Sequence, residues 1–175
     1  MDCKLNQFYL KYLIDEVLPE VGKIKLVLWS MNLKLIFASI MALSITVMFA
    51  NIGGLDIYAL DEAKNAEAAR YMFESGDYVV PKYNGELRTD KPPLHYYFMA
   101  TGYELFGVNA FGARFFSSVF GVLTIVITFL FTLKNFNTRA AIYSSLVLIA
   151  SLHFNLQFHM SVPDPYLIFF TTWSF

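Results

Sequence analysis

Long apolar runs alternate with short, densely charged segments along this chain, and the alternation predicts its elements. Leu35 to Leu55, Phe115 to Leu133 and Ala140 to Pro163 contain no Asp, Glu, Lys or Arg. A helix rises about 1.5 Å per residue and the hydrocarbon core of a bilayer is ~30 Å thick, so about 20 residues let each run cross it. A fourth apolar run, Tyr166 to Phe175, ends in Trp173-Ser174-Phe175 without a helix stop signal, so it reads as a span that is interrupted. The predicted order is an N-terminal segment (1–32), a first span (33–54), a charged loop (55–109) and a second span (110–133). A tight turn (134–139), a third span (140–160), and a short outer loop with the start of a fourth span (161–175) follow.

The loop has its own pattern. The alanine-rich stretch from Asp61 to about Ser75 favours helix, Asp61 can cap it and Gly76 can end it. On such a helix Asp61, Asn65, Ala68 and Met72 share one face, while Glu67 and Arg70 are spaced to pair elsewhere. Tyr78 to Tyr83 reads as extended and Asn84-Gly85 as a hairpin turn. Pro92-Pro93 opens a second helix through about Phe106, closed by Gly107 and rich in the aromatics that suit a membrane interface. The fold class expected is an all-α integral membrane protein with two interfacial helices in its first outer loop.

Composition agrees with a membrane protein, because 57% of the 175 residues are hydrophobic and 15% charged. Lys23, Lys25 and Lys34 precede the first span, and no Lys or Arg follows it until Lys64, which places the N-terminus in the cytoplasm and the Leu60 to Tyr96 loop outside. Lys134 and Arg139 then mark the 134–139 turn as cytoplasmic. Starting at Met31, the chain would resemble a secretory signal, but the apolar run is long for one and Met48 spoils the small-x-small cleavage pattern. The single cysteine, Cys3, excludes an intramolecular disulfide, and nothing points to nucleic acid as a partner. Residues Leu5 to Leu18 can form a helix without a clean amphipathic face. His95, His153 and His159 read as polar residues near an interface, and Arg114 as an anchor for the second span.

The ordered combination of Asp61-Glu62-Ala63, Ala66-Glu67-Ala68-Ala69-Arg70-Tyr71-Met72, Ser75-Gly76-Asp77-Tyr78-Val79-Val80-Pro81, Asn84-Gly85-Glu86 and Asp90-Lys91-Pro92-Pro93 resembles the first extracytoplasmic loop of ArnT-like glycosyltransferases. The likeness continues through Phe106-Gly107, Phe111 and Arg114 to an acidic residue, Asp164, after the third span. The resemblance extends to protein O-mannosyltransferases. It implies the N-terminal part of the multi-span GT-C fold in an inner (plasma) membrane, a polyprenyl-phosphate-linked sugar donor, and a lipid or protein acceptor. Relatives run to several hundred residues, so the chain is expected to be the front portion of such an enzyme, lacking the helices that complete the lipid groove.

Sugar transfer from a lipid phosphate needs a carboxylate to take the acceptor's proton and a cation to hold the departing phosphate. Asp61, at a membrane edge, is the candidate base; spacing alone favours a plain helix N-cap, and the motif around it turns the balance toward function. The resemblance assigns the carrier phosphate to Lys91, which would otherwise be a snorkelling surface lysine. It sets Asp164 as a second acidic group facing the same cavity, a residue that a helix start also explains. Glu62 and Arg70 match motif positions as substrate-binding candidates, as surface charges of a wet helix would. Asp90 stands where relatives have an acidic residue that can bind a divalent metal, but a lone carboxylate makes no site. The reaction implied is direct displacement with inversion. The alternative is a non-catalytic four-span protein that binds lipid or a partner, and a small transporter fits less well because the charges gather in a loop.

Overall fold

The computed structural model describes residues 18–57 and 60–174, with side chains from Asn32 onward. Cys3 and most of the Leu5 to Leu18 segment lie outside the described residues. The chain divides into a unit ending at Ser39 and a larger unit, Ile40–Phe175, that carries everything discussed below. Its helices are α1 (Leu18–Phe49), α2 (Leu60–Ser75), α3 (Leu94–Phe106), α4 (Ala110–Asn135), α5 (Thr138–Ala150), α6 (Leu152–Phe158) and α7 (Asp164–Ser174). A two-stranded hairpin, β1 (Lys82–Tyr83) and β2 (Glu86–Leu87), lies between α2 and α3.

Helix α1 begins well before the first apolar run and ends at Phe49, short of the expected 54; a turn with Asn51 at φ 58° follows. Within it, Asn32–Phe49 is long and apolar enough to cross a membrane, as is all of α4. The expected third span departs from expectation: α5 and α6 are bent by 66° at Ser151. No Pro or Gly causes this. Ser151 leaves the helical region (ψ 115°) and its hydroxyl caps α6 at Phe154 N, while Asn155 Nδ2 donates to the carbonyls of Ile149 (2.7 Å) and Ser151 (2.8 Å). Side chains thereby satisfy the backbone groups that the break frees, the condition for irregular structure at membrane depth.

Most of the loop forms as its residues predict, but α2 already begins at Leu60, so Asp61 sits inside the first turn instead of capping the helix. Asn84 (φ 52°) and Gly85 (φ 83°) supply the two positive dihedrals of a tight hairpin turn, and Arg88 N donates to Pro81 O at 2.9 Å to extend the ladder. Gly76 and Gly107, both at positive φ, end α2 and α3. Alanines 66, 68 and 69 let α2 approach α3 closely, burying Met72, Tyr96, Met99 and Tyr103 in one core. Deeper, Phe98 stacks on Tyr166 at 5.1 Å and meets Phe120 edge-on at 5.0 Å, joining α3, α4 and α7.

α3 and α4 cross at glycine. A Cβ on Gly102 would collide with the Gly112 carbonyl oxygen, and one on Gly112 would lie 2.7 Å from the Gly107 oxygen. Gly102→Ala is therefore expected to force the helices apart at a cost of about 1–3 kcal/mol, read as reduced unfolding stability in detergent micelles.

Candidate functional site

The site is built on a buried ion pair. Glu62, in the first turn of α2, and Arg114, in the first turns of α4, are 2% and 6% exposed. Arg114 Nε donates to Glu62 Oε1 at 2.7 Å and Nη2 to Oε2 at 2.9 Å, a two-pronged contact. The remaining guanidinium hydrogens reach the carbonyls of Ile52 (2.8 Å), Leu55 (2.7 Å) and Asp56 (3.3 Å) in the turn after α1. Glu62 Oε1 also accepts from the Ser161 amide (2.9 Å) and hydroxyl (3.1 Å), in the link from α6 to α7. Burial alone would raise the Glu62 carboxyl; the Arg114 hydrogen bonds and charge and the Ser161 donors outweigh it and hold the group below the usual range. Glu62 thus faces inward as a structural link, and Arg114 is buried within it rather than anchoring a span at the interface.

One turn along α2 and still facing inward, Asn65 accepts from Arg88 Nη2 at 2.9 Å. Arg88, 6% exposed, lies 3.3 Å from Asp90 and 3.7 Å from Asp61. Lys91 Nζ donates to Asp61 Oδ2 at 3.2 Å. Asp61, Asp90 and Lys91 therefore meet in one cluster, with two carboxylates at the exposed rim and a buried guanidinium behind them. Among the described residues no group of three or more His, Cys, Asp or Glu can hold a metal, and Asp90 is instead paired with Arg88.

Asp164 opens α7 and accepts from Gln157 Nε2. It lines a groove of about 380 Å³ with Pro92, His95, Pro163, Tyr166 and Phe170. Arg70 stands apart, exposed between Glu67 (3.5 Å) and Glu74 (3.3 Å), so the expected Glu67 pairing forms. His95 is no chance surface residue: it is 1% exposed, and its Nδ1 lies 2.7 Å from the Pro92 carbonyl. Burial pushes the imidazole down to about 4, the Pro92 carbonyl opposes this, and the Arg88 and Lys91 charges reinforce it.

Arg88 and Ser161 escape the sequence reading, which places Asn65 on the Asp61 face without giving it a part and takes His95 for a polar residue near an interface. The Asn84-Gly85 turn carries the one usable signal, since the hairpin it sets brings the chain around so that Arg88 follows directly on β2 and precedes Asp90-Lys91.

A polytopic membrane protein, helical but for one short hairpin, with a charged loop between its first two apolar helices is the class that this architecture defines. The family described as dolichyl-phosphate-mannose-protein mannosyltransferase matches residues 90–175. An uncharacterized protein of Aquifex aeolicus is 36% identical over 127 residues, covering 72% of this chain and 26% of its own length. An undecaprenyl phosphate-alpha-4-amino-4-deoxy-L-arabinose arabinosyl transferase of Pseudomonas savastanoi is 29% identical over 124 residues, 70% of this chain and 23% of the relative. The crystal structure of ArnT from Cupriavidus metallidurans bound to undecaprenyl phosphate superposes with a TM-score of 0.72 at 30% identity, over 78% of this chain and 25% of that one. In sequence and in fold the chain is ArnT-like, and it spans about a quarter of the length of the relatives it matches.

Two outcomes follow from this geometry. Arg114→Met leaves the Glu62 carboxylate buried without its partner and is expected to cost about 3–5 kcal/mol in reversible unfolding in micelles. His95 binds its proton less readily folded (about 4) than unfolded (6.5), so its contribution to stability is complete above pH 6.5 and lost as pH falls toward 4. The loss amounts to about 3 kcal/mol. Unfolding midpoints measured across that window should fall in the wild type and flatten in His95→Phe.

Proposed function

We propose that the Asp61–Lys91 cluster is the catalytic and donor-phosphate part of a membrane glycosyltransferase that uses a polyprenyl-phosphate-linked sugar. The observation that carries this reading is the placement of an exposed carboxylate, Asp61, 3.2 Å from Lys91 with the buried Arg88 behind both. The relatives named as undecaprenyl-phosphate-dependent transferases, and the ArnT bound to undecaprenyl phosphate, support the same carrier.

In the proposed step the acceptor, a hydroxyl or phosphate of a lipid or protein, attacks the anomeric carbon. For a hydroxyl acceptor Asp61 takes the proton. The bond from that carbon to the phosphate oxygen breaks, and the phosphate leaves with the electron pair against Lys91. Backside attack inverts the anomeric centre. Lys91 now pairs with Asp61, so an arriving phosphate competes for the lysine and releases the carboxylate to act as base. Asp164 supplies a second acidic group on the neighbouring groove. Glu62 serves by holding α2 in register, and Arg70, on another face with Glu67 and Glu74, is left without a part in the step. A divalent metal at Asp90 would need ligands from outside the described residues. The N-terminus is assigned to the cytoplasm and the charged loop to the outer face of an inner membrane, from Lys23, Lys25 and Lys34 ahead of the first apolar run.

The test is transfer in proteoliposomes from a labelled undecaprenyl-phosphate sugar. Asp61→Asn is expected to reduce the rate by roughly 10²–10⁴-fold while leaving undecaprenyl phosphate binding intact, and Lys91→Met to weaken that binding. Full transfer by Asp61→Asn, or unchanged lipid affinity in Lys91→Met, contradicts the assignment.

A further inference from the structure

Each oxygen of the Asp61 carboxylate has a cation of its own, and the two cations differ in freedom. Lys91 Nζ donates to Oδ2 at 3.2 Å from a partly exposed side chain. Arg88 Nη2 lies 3.7 Å from Oδ1 and belongs to a side chain that is 6% exposed. The lysine is a point charge on a flexible four-carbon stem, whereas the guanidinium is a planar fork held by its surroundings. The Arg88 amide donates to the Pro81 carbonyl at 2.9 Å, which pins its backbone to the hairpin. Nη2 donates to Asn65 Oδ1 at 2.9 Å, Asn65 Nδ2 reaches the Ser161 carbonyl at 3.5 Å, and the Tyr83 ring lies 6.0 Å from the guanidinium carbon.

A link between the hairpin and α2 does not by itself explain this geometry. The bond to Asn65 already makes that link, yet Nε is buried without a hydrogen bond and sits 3.3 Å from Asp90 Oδ1 at an angle that closes none. An unspent donor on a buried cation is costly, and here the guanidinium is drawn between Asn65, Asp61 and Asp90 rather than satisfied by one of them. The consequence falls on Asp61. At 3.7 Å the contact is an ion pair too long for a hydrogen bond, so it attracts Oδ1 without occupying its lone pairs. A two-pronged arginine contact, of the kind Glu62 makes, would engage both oxygens and compete with an acceptor's proton.

We propose that Arg88 is a positioning residue: it holds Asp61 at Oδ1 while the phosphate draws Lys91 away from Oδ2. The inference rests on the transfer reading above and adds what keeps the base aimed once its nearer cation has gone. The Asp61 side chain is 59% exposed in the first turn of α2, so without Lys91 it would turn toward solvent unless a second charge retained it. A misplacement of ~1 Å costs about 10²-fold in rate, which sets the scale of the effect. Arg88 touches neither the sugar nor the phosphate in this role.

The experiment measures side-chain distances by solid-state NMR on the whole chain in nanodiscs, with ¹³C on the aspartate carboxyls and ¹⁵N on the arginine and lysine side chains, before and after addition of undecaprenyl phosphate. The Asp61 signal is identified by its loss in Asp61→Asn. The expected result is that the lipid abolishes the Asp61–Lys91 coupling and leaves the Asp61–Arg88 coupling in place. Loss of both couplings overturns the positioning role and leaves the phosphate reading standing. Persistence of the Asp61–Lys91 coupling with lipid bound, or failure of the lipid to bind, overturns both. In the transfer assay Arg88→Met should lower kcat about tenfold to hundredfold with the donor KM within about twofold, and Arg88→Lys should recover part of the loss. Placed on Asp61→Asn, Arg88→Met should have no further effect, because the two side chains act as a unit. An equal drop in that background overturns the inference. If Arg88→Met does not fold, or transfer is too slow to measure, the wild-type couplings decide alone.

Discussion

A charged pair taken out of water has to be matched group for group, and the Glu62–Arg114 contact meets that demand by drawing on four separate parts of the chain. The guanidinium uses carbonyls of the turn after α1, the carboxylate uses the Ser161 amide and hydroxyl before α7, and the pair itself joins α2 to α4. Desolvation makes such a pair expensive to break and gives it little net worth against an apolar core, so its effect is to fix one arrangement rather than to add stability. Asn65, one turn further on α2, repeats the device by bridging Arg88 and the Ser161 carbonyl. The orientation of α2, and with it the place of Asp61, follows from these contacts.

With α2 fixed, the charges sort by depth. Arg88 is buried and its carboxylate neighbours are at the rim, so the cation is held in place while Asp61 and Asp90 remain open to a ligand. Lys91 is intermediate, attached to the Pro-Pro helix start and paired with Asp61 at the rim. Below this charged layer the aromatic contacts of Phe98, Phe120 and Tyr166 close the space between α3, α4 and α7. The polar chemistry therefore sits on an apolar floor, with the His95 and Asp164 groove opening beside it.

What the residues alone disclose depends on how local the cause is. The Asn84-Gly85 turn and the Gly107 stop were legible because each is set by the dihedrals of one or two residues. The apolar helices were legible because length and hydropathy act over a whole segment. The bend at Ser151 was not, since it depends on a serine and an asparagine answering backbone groups up to six residues away, without the proline or glycine that usually marks a break. Asp61, Asp90 and Lys91 could be named together from their motif. Arg114 looked like a boundary charge because its partner is 52 residues distant, and Glu62 like a surface acid because its neighbours in sequence are polar. His95 was passed over for a similar reason: it is buried against the Pro92 carbonyl and near Arg88, Lys91 and Asp61, which its spacing does not reveal.

The central claim is that the anchored loop aims Lys91 and Asp61 at a lipid phosphate. The most direct measurement is an experimental structure of the chain in a lipid nanodisc with undecaprenyl phosphate. The account requires the phosphate to lie against Lys91 Nζ, with the Asp61–Lys91 contact opened and the Glu62–Arg114 pair unchanged. A phosphate bound elsewhere on the chain, with Lys91 still on Asp61, would contradict it.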